Sequence, residues 1–407
     1  MVSKIIYIFE RRHYYTSDDK SFGIQYFKGQ GYDVEVWSAV YWTFGNNIAS
    51  PQNEHEGNRV YINNEKMMQH EMERIRNENC CFIIYPYHAY SKVSYAIRKE
   101  IKKNGFDFYN LTESPDLVEV KELPPKSVFV LKGLKKLIYM MYVLIKQGFP
   151  VYSKRSQESD TAYRFWGPIL LRSKANFIVT KNQFNYIPNP WELFRKDNIL
   201  VPHINYGLYL ELLNSKSSNT TKYAVFIDEY EVGHSDFEKF GIKSPISDPK
   251  QYYMELNSFF SRIEEEFGTD VIIAAHPKAE YYGDEFEGRK IIYYRTAELV
   301  KEAEIVLYMY GTSVSYILLF QKKFMQFYTS QHFKGNMTMT DSFIKESSVR
   351  LNTNLLNIST MKGVRLRNYV KCYGSDYDDL LEKFIVPKCN MKEDMYMIID
   401  KVLRDNK

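Results

Sequence analysis

The chain has no apolar run of the roughly 18 residues that a membrane-spanning helix needs, and each of its hydrophobic stretches is soon broken by charge or by a turn. An integral span is therefore not expected. The opening MVSKIIYIFERRHYY holds one short apolar run before charge appears, which predicts neither a signal peptide nor an anchor there. Cysteine is scarce: the four residues Cys80, Cys81, Cys372 and Cys389 show neither metal-ligand spacing nor a disulfide framework. Cys80 and Cys81, inside CCFIIY, read as buried core, and a reducing cytoplasm is the expected compartment. Charge imbalance is small as well, with 54 Lys and Arg against 50 Asp and Glu and a net charge of +4. That excludes a partnership with nucleic acid driven by charge. GxGxxG, Walker A, HExxH and paired CxxC signatures are all missing. The one Asp-x-Asp, Asp376-Tyr377-Asp378, lies in a polar stretch and reads as the start of a helix, so no metal ligands are assigned.

What remains is the composition of a soluble globular protein, 44% hydrophobic and 26% charged, with 35 Tyr. Tyr, Lys and Asn richness reads as a mark of genome composition and is given no functional weight. A length of 407 residues suggests two domains. Apolar runs alternating with helical patterns support an α/β class. Strands are expected at Lys4–Phe9, Asp33–Ser38, Cys80–Tyr85 and Phe106–Leu111, with helices at Lys20–Gln30 and Ser91–Lys103. Two further strands are expected between Ala175 and Pro202, around a Pro-Asn-Pro turn. The rhythm restarts after the polar run Asn214–Lys222: strands at Tyr223–Ile227, Val271–Ala275, Lys290–Tyr294, Ile305–Tyr308 and Phe324–Tyr328, helices at Gln251–Phe267, Thr296–Ala303 and Val314–Phe320. The expected organisation is a domain over 1–213, a linker over 214–222, a second domain over 223–375 and a helical segment over 376–407, with the final helix at Lys392–Arg404 packing on either half. Two such α/β halves would face one another across a central cleft. Lys126–Gln147 is apolar and carries five lysines and no acid. A partly buried helix with solvated lysines is its plainer reading, and contact with the inner face of the plasma membrane is the alternative.

Three polar constellations follow predicted strands of the second half. In FIDEYEVGHSDF, an apolar strand delivers Asp228 and Glu229 into a loop with His234 and Asp236. A carboxylate there can take a proton from an attacking hydroxyl; helix capping or loop solvation is the plain alternative. In VIIAAHPK, Pro277 fixes the turn after the strand and presents His276, whose N–H can hold a phosphate oxygen. Lys278 is a second phosphate contact or a surface residue. In YGTSVSYILLF, Gly311, Thr312 and Ser313, with Ser315 behind them, open an apolar helix. Free N–H groups of a first helical turn and hydroxyls together suit a phosphate, whereas an ordinary N-cap needs only one hydroxyl. All three positions lie at the carboxyl ends of strands, where open parallel sheets hold their ligands. In the first half, Glu10, Arg11, Arg12 and His13 follow the first strand, and two readings stand side by side, a solvated loop and contact with an acceptor.

Acid-acid after a strand, then His-Pro, then a hydroxyl pair opening a helix resembles the motif order of bacterial sialyltransferases and related CMP-sugar transferases of the GT-B fold, over Phe226 to about Phe327. Two positions depart from that pattern: Gly233 comes four residues after Glu229 instead of directly following the acids, and Thr312-Ser313 replaces two serines. AEIVLYMYGTSVSYILLFQKKFMQF also looks like segments of surface-polysaccharide biosynthesis proteins. The resemblance implies two Rossmann-like domains and an inverting transfer without metal or other cofactor. A saccharide or glycolipid hydroxyl, deprotonated by Asp228 or Glu229, would displace CMP from an acidic sugar. His276, Pro277, Lys278, Gly311, Thr312 and Ser313 would hold the nucleotide phosphate. Two rivals keep the fold: a teichoic-acid type enzyme using a CDP-polyol, in which a second His is expected where Tyr310 stands, and a catalytically silent subunit that scaffolds capsule assembly.

Overall fold

The computed structural model describes residues 2–11, 13–14, 18–45, 59–85, 91–112, 170–179, 196–213, 215, 222–234, 237, 243–335, 338–387 and 392–405. Arg12, Asp236, Cys389, the basic segment Lys126–Gln147, the Pro-Asn-Pro turn and most of Asn214–Lys222 lie outside them. Two compact units emerge. One holds the described residues up to Pro202 together with those from Glu393 onward, and the other holds the described residues from His203 to Lys392.

The first unit is built on a seven-stranded sheet of order β3-β2-β1-β4-β5-β6-β7, every pairing parallel. Its strands are β1 (Lys4–Phe9), β2 (Asp33–Ser38), β3 (Arg59–Tyr61), β4 (Cys80–Tyr85), β5 (Asp107–Leu111), β6 (Asn176–Val179) and β7 (Asn198–Val201). Both β1 and β4 are buried along their whole length, as central strands covered on two faces must be. The helix expected over Lys20–Gln30 is interrupted. Gly23 adopts φ +66, and a Cβ on it would sit 2.4 Å from the Tyr396 ring of the final helix, Met395–Asp405. That helix returns to the first unit through Asp400, which accepts from the Tyr26 and Tyr32 hydroxyls at 3.2 and 2.8 Å.

The second unit repeats the scheme with β8 (Tyr223–Ile227), β9 (Asp270–Ala275), β10 (Ile291–Tyr293), β11 (Ile305–Tyr308), β12 (Phe324–Tyr328) and β13 (Leu356–Asn357). Their order is β10-β9-β8-β11-β12-β13, all parallel, so the winding reverses between β8 and β11. The core on one face joins Phe226, Phe259, Phe260, Phe286 and Phe327. Much of it comes from the 19-residue helix Pro249–Phe267, which Asp248 caps and Gly268 ends in the left-handed conformation. The helix Tyr206–Leu213 belongs here and not to the first domain. Lys301 Nζ donates to the Leu212 carbonyl, and the Tyr209 ring packs 5.1 Å from Phe320. Asp376 begins the helix Asp376–Phe384, which also stays with this unit.

Candidate functional site

The strand order decides which polar groups meet. β9, β8 and β11 are adjacent, so their carboxyl ends bring His276, the Asp228-Glu229 pair and the Gly311–Ser313 turn side by side at the reversal of winding. At such a reversal, connections leave to opposite faces and a crevice opens above the strand ends.

The two acids that follow β8 sit in different surroundings. Asp228 is buried, with both oxygens occupied: Oδ1 accepts the Tyr230 N–H at 3.1 Å and Oδ2 the Tyr281 hydroxyl at 2.5 Å. Burial pushes its carboxyl up to about 6, the Tyr281 and Tyr230 hydrogen bonds pulling the other way and the neighbouring Glu231 adding to the rise. Glu229 is half-buried and turns to the hydroxyl segment. Its carboxylate lies so close to Gly311 that a Cβ there would be 2.4 Å from Oε1, and Gly311 holds φ +109. Only glycine fits that position.

His276 is half-buried. Its Nδ1 accepts the Lys278 N–H at 3.1 Å, which leaves the proton of the neutral ring on Nε2. The Pro277 turn thus prepares a donor of fixed direction. His234, from the loop after β8, packs edge-on against this ring with centroids 4.7 Å apart. Lys278 is half-exposed.

The hydroxyl turn differs from the expected cradle. Val314, Ser315 and Tyr316 spend their N–H groups on the carbonyls of Gly311, Thr312 and Ser313 in a tight first turn. Ser315 is fully buried and structural, accepting from Asn205 and donating to the Thr312 carbonyl, both at 2.8 Å. Thr312 is exposed and Ser313 half-exposed, so their hydroxyls are what this segment offers a ligand.

Beneath the edge lies a buried network that the sequence did not reveal. Glu231 is fully buried and meets His332 Nε2 at 3.1 Å through both oxygens, while Thr329 Oγ1 lies 3.0 Å from Nδ1. Burial alone would lower the His332 pKa, but the Glu231 charge and hydrogen bond outweigh it and the net shift is upward. Burial holds the Tyr310 hydroxyl well above its ordinary pKa, and the nearby Glu231 and Glu229 carboxylates add to the rise. Tyr281 escaped notice for a plain reason: in a chain with 35 Tyr, one more in AEYY carries no signal.

In the first unit, Glu10 does not join a solvated loop. It is 4% exposed, paired with Arg98 at 2.5 Å and accepting from Ser94 at 2.9 Å, so its carboxylate is committed to a buried ion pair instead of to an acceptor. His13 is buried against Tyr41, ring centroids 5.3 Å apart, and Arg11 is exposed over the Phe44 ring. Among the described residues no three His, Cys, Asp or Glu side chains gather so as to hold a metal ion, and no helix is long and apolar enough to cross a membrane.

No family model and no curated protein matches the chain. Solved structures do. A single-substitution variant of the wall teichoic acid polymerase TagF has a TM-score of 0.51 at 11% identity, covering 99% of this chain and 89% of that one. The sialyltransferase from Photobacterium damsela has a TM-score of 0.44 at 10% identity over 88% and 82% of the two chains. UDP-GlcNAc 2-epimerase from Methanocaldococcus jannaschii has 0.44 at 12% over 92% and 96%. At such identities the likeness is one of fold. With two parallel sheets wound in the same order, the chain has the two Rossmann-like α/β domains of the GT-B class.

Proposed function

We propose that the chain is an inverting glycosyltransferase that moves an acidic sugar of the sialic acid or Kdo type from a CMP-activated donor to a saccharide acceptor in surface-polysaccharide assembly. The observation that carries this reading is the meeting of three motifs on adjacent strands, with Glu229 against Gly311 and the Nε2 proton of His276 one strand away. The two carboxylates then divide the work. Asp228, with both oxygens engaged, anchors the loop through Tyr230 and Tyr281. Glu229, half-buried at the crevice, accepts the proton of the acceptor hydroxyl as its oxygen attacks the anomeric carbon. The bond from that carbon to the phosphate oxygen breaks with inversion and CMP departs. His276 donates to the departing phosphate, and the Thr312 and Ser313 hydroxyls share its charge. No step calls for a metal or other cofactor.

The fold likeness to the wall teichoic acid polymerase favours a second reading, transfer of a polyol phosphate from a CDP-polyol. Release of CMP from CMP-N-acetylneuraminate, CMP-Kdo and CDP-glycerol by the full chain tests both. Turnover of a CMP-sugar that Glu229→Gln abolishes is the expected result, and turnover of CDP-glycerol alone would replace the proposal with the second reading.

A further inference from the structure

Tyr294 takes no part in this mechanism, yet its geometry is costly. It directly follows β10, and the register Tyr293 to Ala275 sets it level with His276 on the neighbouring strand. Its φ is +59, a left-handed conformation that an aromatic L residue keeps only when something offsets it. Among the described residues nothing does so fully: Tyr294 is 58% exposed, and its hydroxyl makes one long hydrogen bond, 3.4 Å to the Pro277 carbonyl. Tyr230 is a useful contrast. It shares the left-handed backbone at φ +51, but it is 9% exposed, and its hydroxyl donates to the Glu280 carbonyl at 3.0 Å. There burial and hydrogen bonding hold the conformation. At Tyr294 the strained backbone holds an exposed aromatic residue beside the His-Pro turn. It ends a row of rings, Tyr230 to Tyr281 to Tyr293 to Tyr294, with successive centroids 5.9, 6.1 and 6.1 Å apart.

We infer that Tyr294 is the stacking platform for the nucleobase of the activated donor, an inference that rests on the nucleotide-donor reading above. The direction follows from the strand order. The transferred sugar must lie toward Glu229 at the reversal of winding, so a nucleotide whose phosphate meets His276 extends its nucleoside the other way, toward β10. Neighbouring strands are about 4.8 Å apart, a gap that a ribose spans between phosphate and base. An exposed ring accepts any base by its face, and loss of one such ring typically weakens binding about ten- to hundredfold.

The test uses the full chain and two titrants, CMP and ribose 5-phosphate, which keeps the phosphate and sugar but lacks the base. Tyr294→Ala is expected to weaken CMP at least about tenfold and leave ribose 5-phosphate unchanged, while Tyr294→Phe binds CMP as the parent does. Tyr294→Gly relieves the backbone and should melt higher than Tyr294→Ala, with the same loss of CMP. Unchanged CMP affinity in the Ala and Gly variants would overturn the platform while leaving the donor reading intact, as would an equal loss of both titrants. A parent chain that binds no nucleotide would instead overturn the donor reading, and the platform with it.

Discussion

Asp228 and Glu229 are adjacent in sequence, one buried and the other half-buried, and single substitutions should separate them. Glu229→Gln removes a base at the crevice and should cut turnover at least a hundredfold with folding intact, as judged by an unchanged melting temperature. Asp228 is best followed by pH. Its pKa in the folded protein, about 6, lies above the ordinary 3.8, so the native state holds the proton longer than the unfolded chain does. The sign is then fixed: between pH 4 and 6, ionisation of this buried group removes stability as pH rises. Relative to Asp228→Asn, which cannot ionise, the parent should lose on the order of 3 kcal/mol across that interval, measurable as diverging urea midpoints. A flat difference would contradict the burial. Gly311→Ala drives a methyl into the Glu229 carboxylate at a backbone of φ +109 and should cost about 1–3 kcal/mol together with activity. At this scale the sequence disclosed Asp228, Glu229, His276 and the Gly311–Ser313 turn, because an apolar run followed by a polar residue marks its own edge. It concealed Tyr281, Glu231 and His332, whose importance depends on partners 53 and 101 residues away.

Strands were legible and their surroundings less so. β1, β2, β4, β8, β11 and β12 keep the bounds their apolar runs suggested, and β1, β4, β8 and β11 are buried along their whole length, which leaves little polar pattern to blur their ends. β3 and β13, of three and two residues, are too short to leave a pattern. The helix after Ser313 was visible but its free N–H groups were not there, because a tight first turn spends them and sequence does not report how a turn is wound. Gly23 shows the same limit, since its partner Tyr396 sits on the last helix. Substitution Gly23→Val should therefore lift that helix and expose it to proteolysis. Asp400→Ala should do likewise, by losing the Tyr26, Tyr32 and Arg404 contacts, with cleavage near residue 395 as the readout. Resistance of both variants would show that the helix is held by other contacts.

Across the whole molecule, repetition of strand and helix made two α/β domains evident, while the boundary moved from the polar run Asn214–Lys222 to Pro202 and His203. An apolar helix such as Tyr206–Leu213 names no partner by itself; contacts to Lys301 and Phe320, with Asn205 just before it donating to Ser315, draw it to the second unit. Melting of the full chain with nucleotides gives the broadest test of the donor. A ligand at about 100 times its dissociation constant adds about 2.7 kcal/mol, so CMP should raise the transition and UDP should not. The reverse order would displace the cytidine donor. The final helix carries a consequence of another kind. It completes the first unit but follows the second in sequence, so during synthesis the surface around Gly23, Tyr26 and Tyr32 stays uncovered while all of His203–Lys392 emerges. At about 5–20 residues per second, the nascent first domain waits on the order of ten seconds or more with an aromatic seam open. A chaperone that shields aromatic surface has its opportunity in that interval.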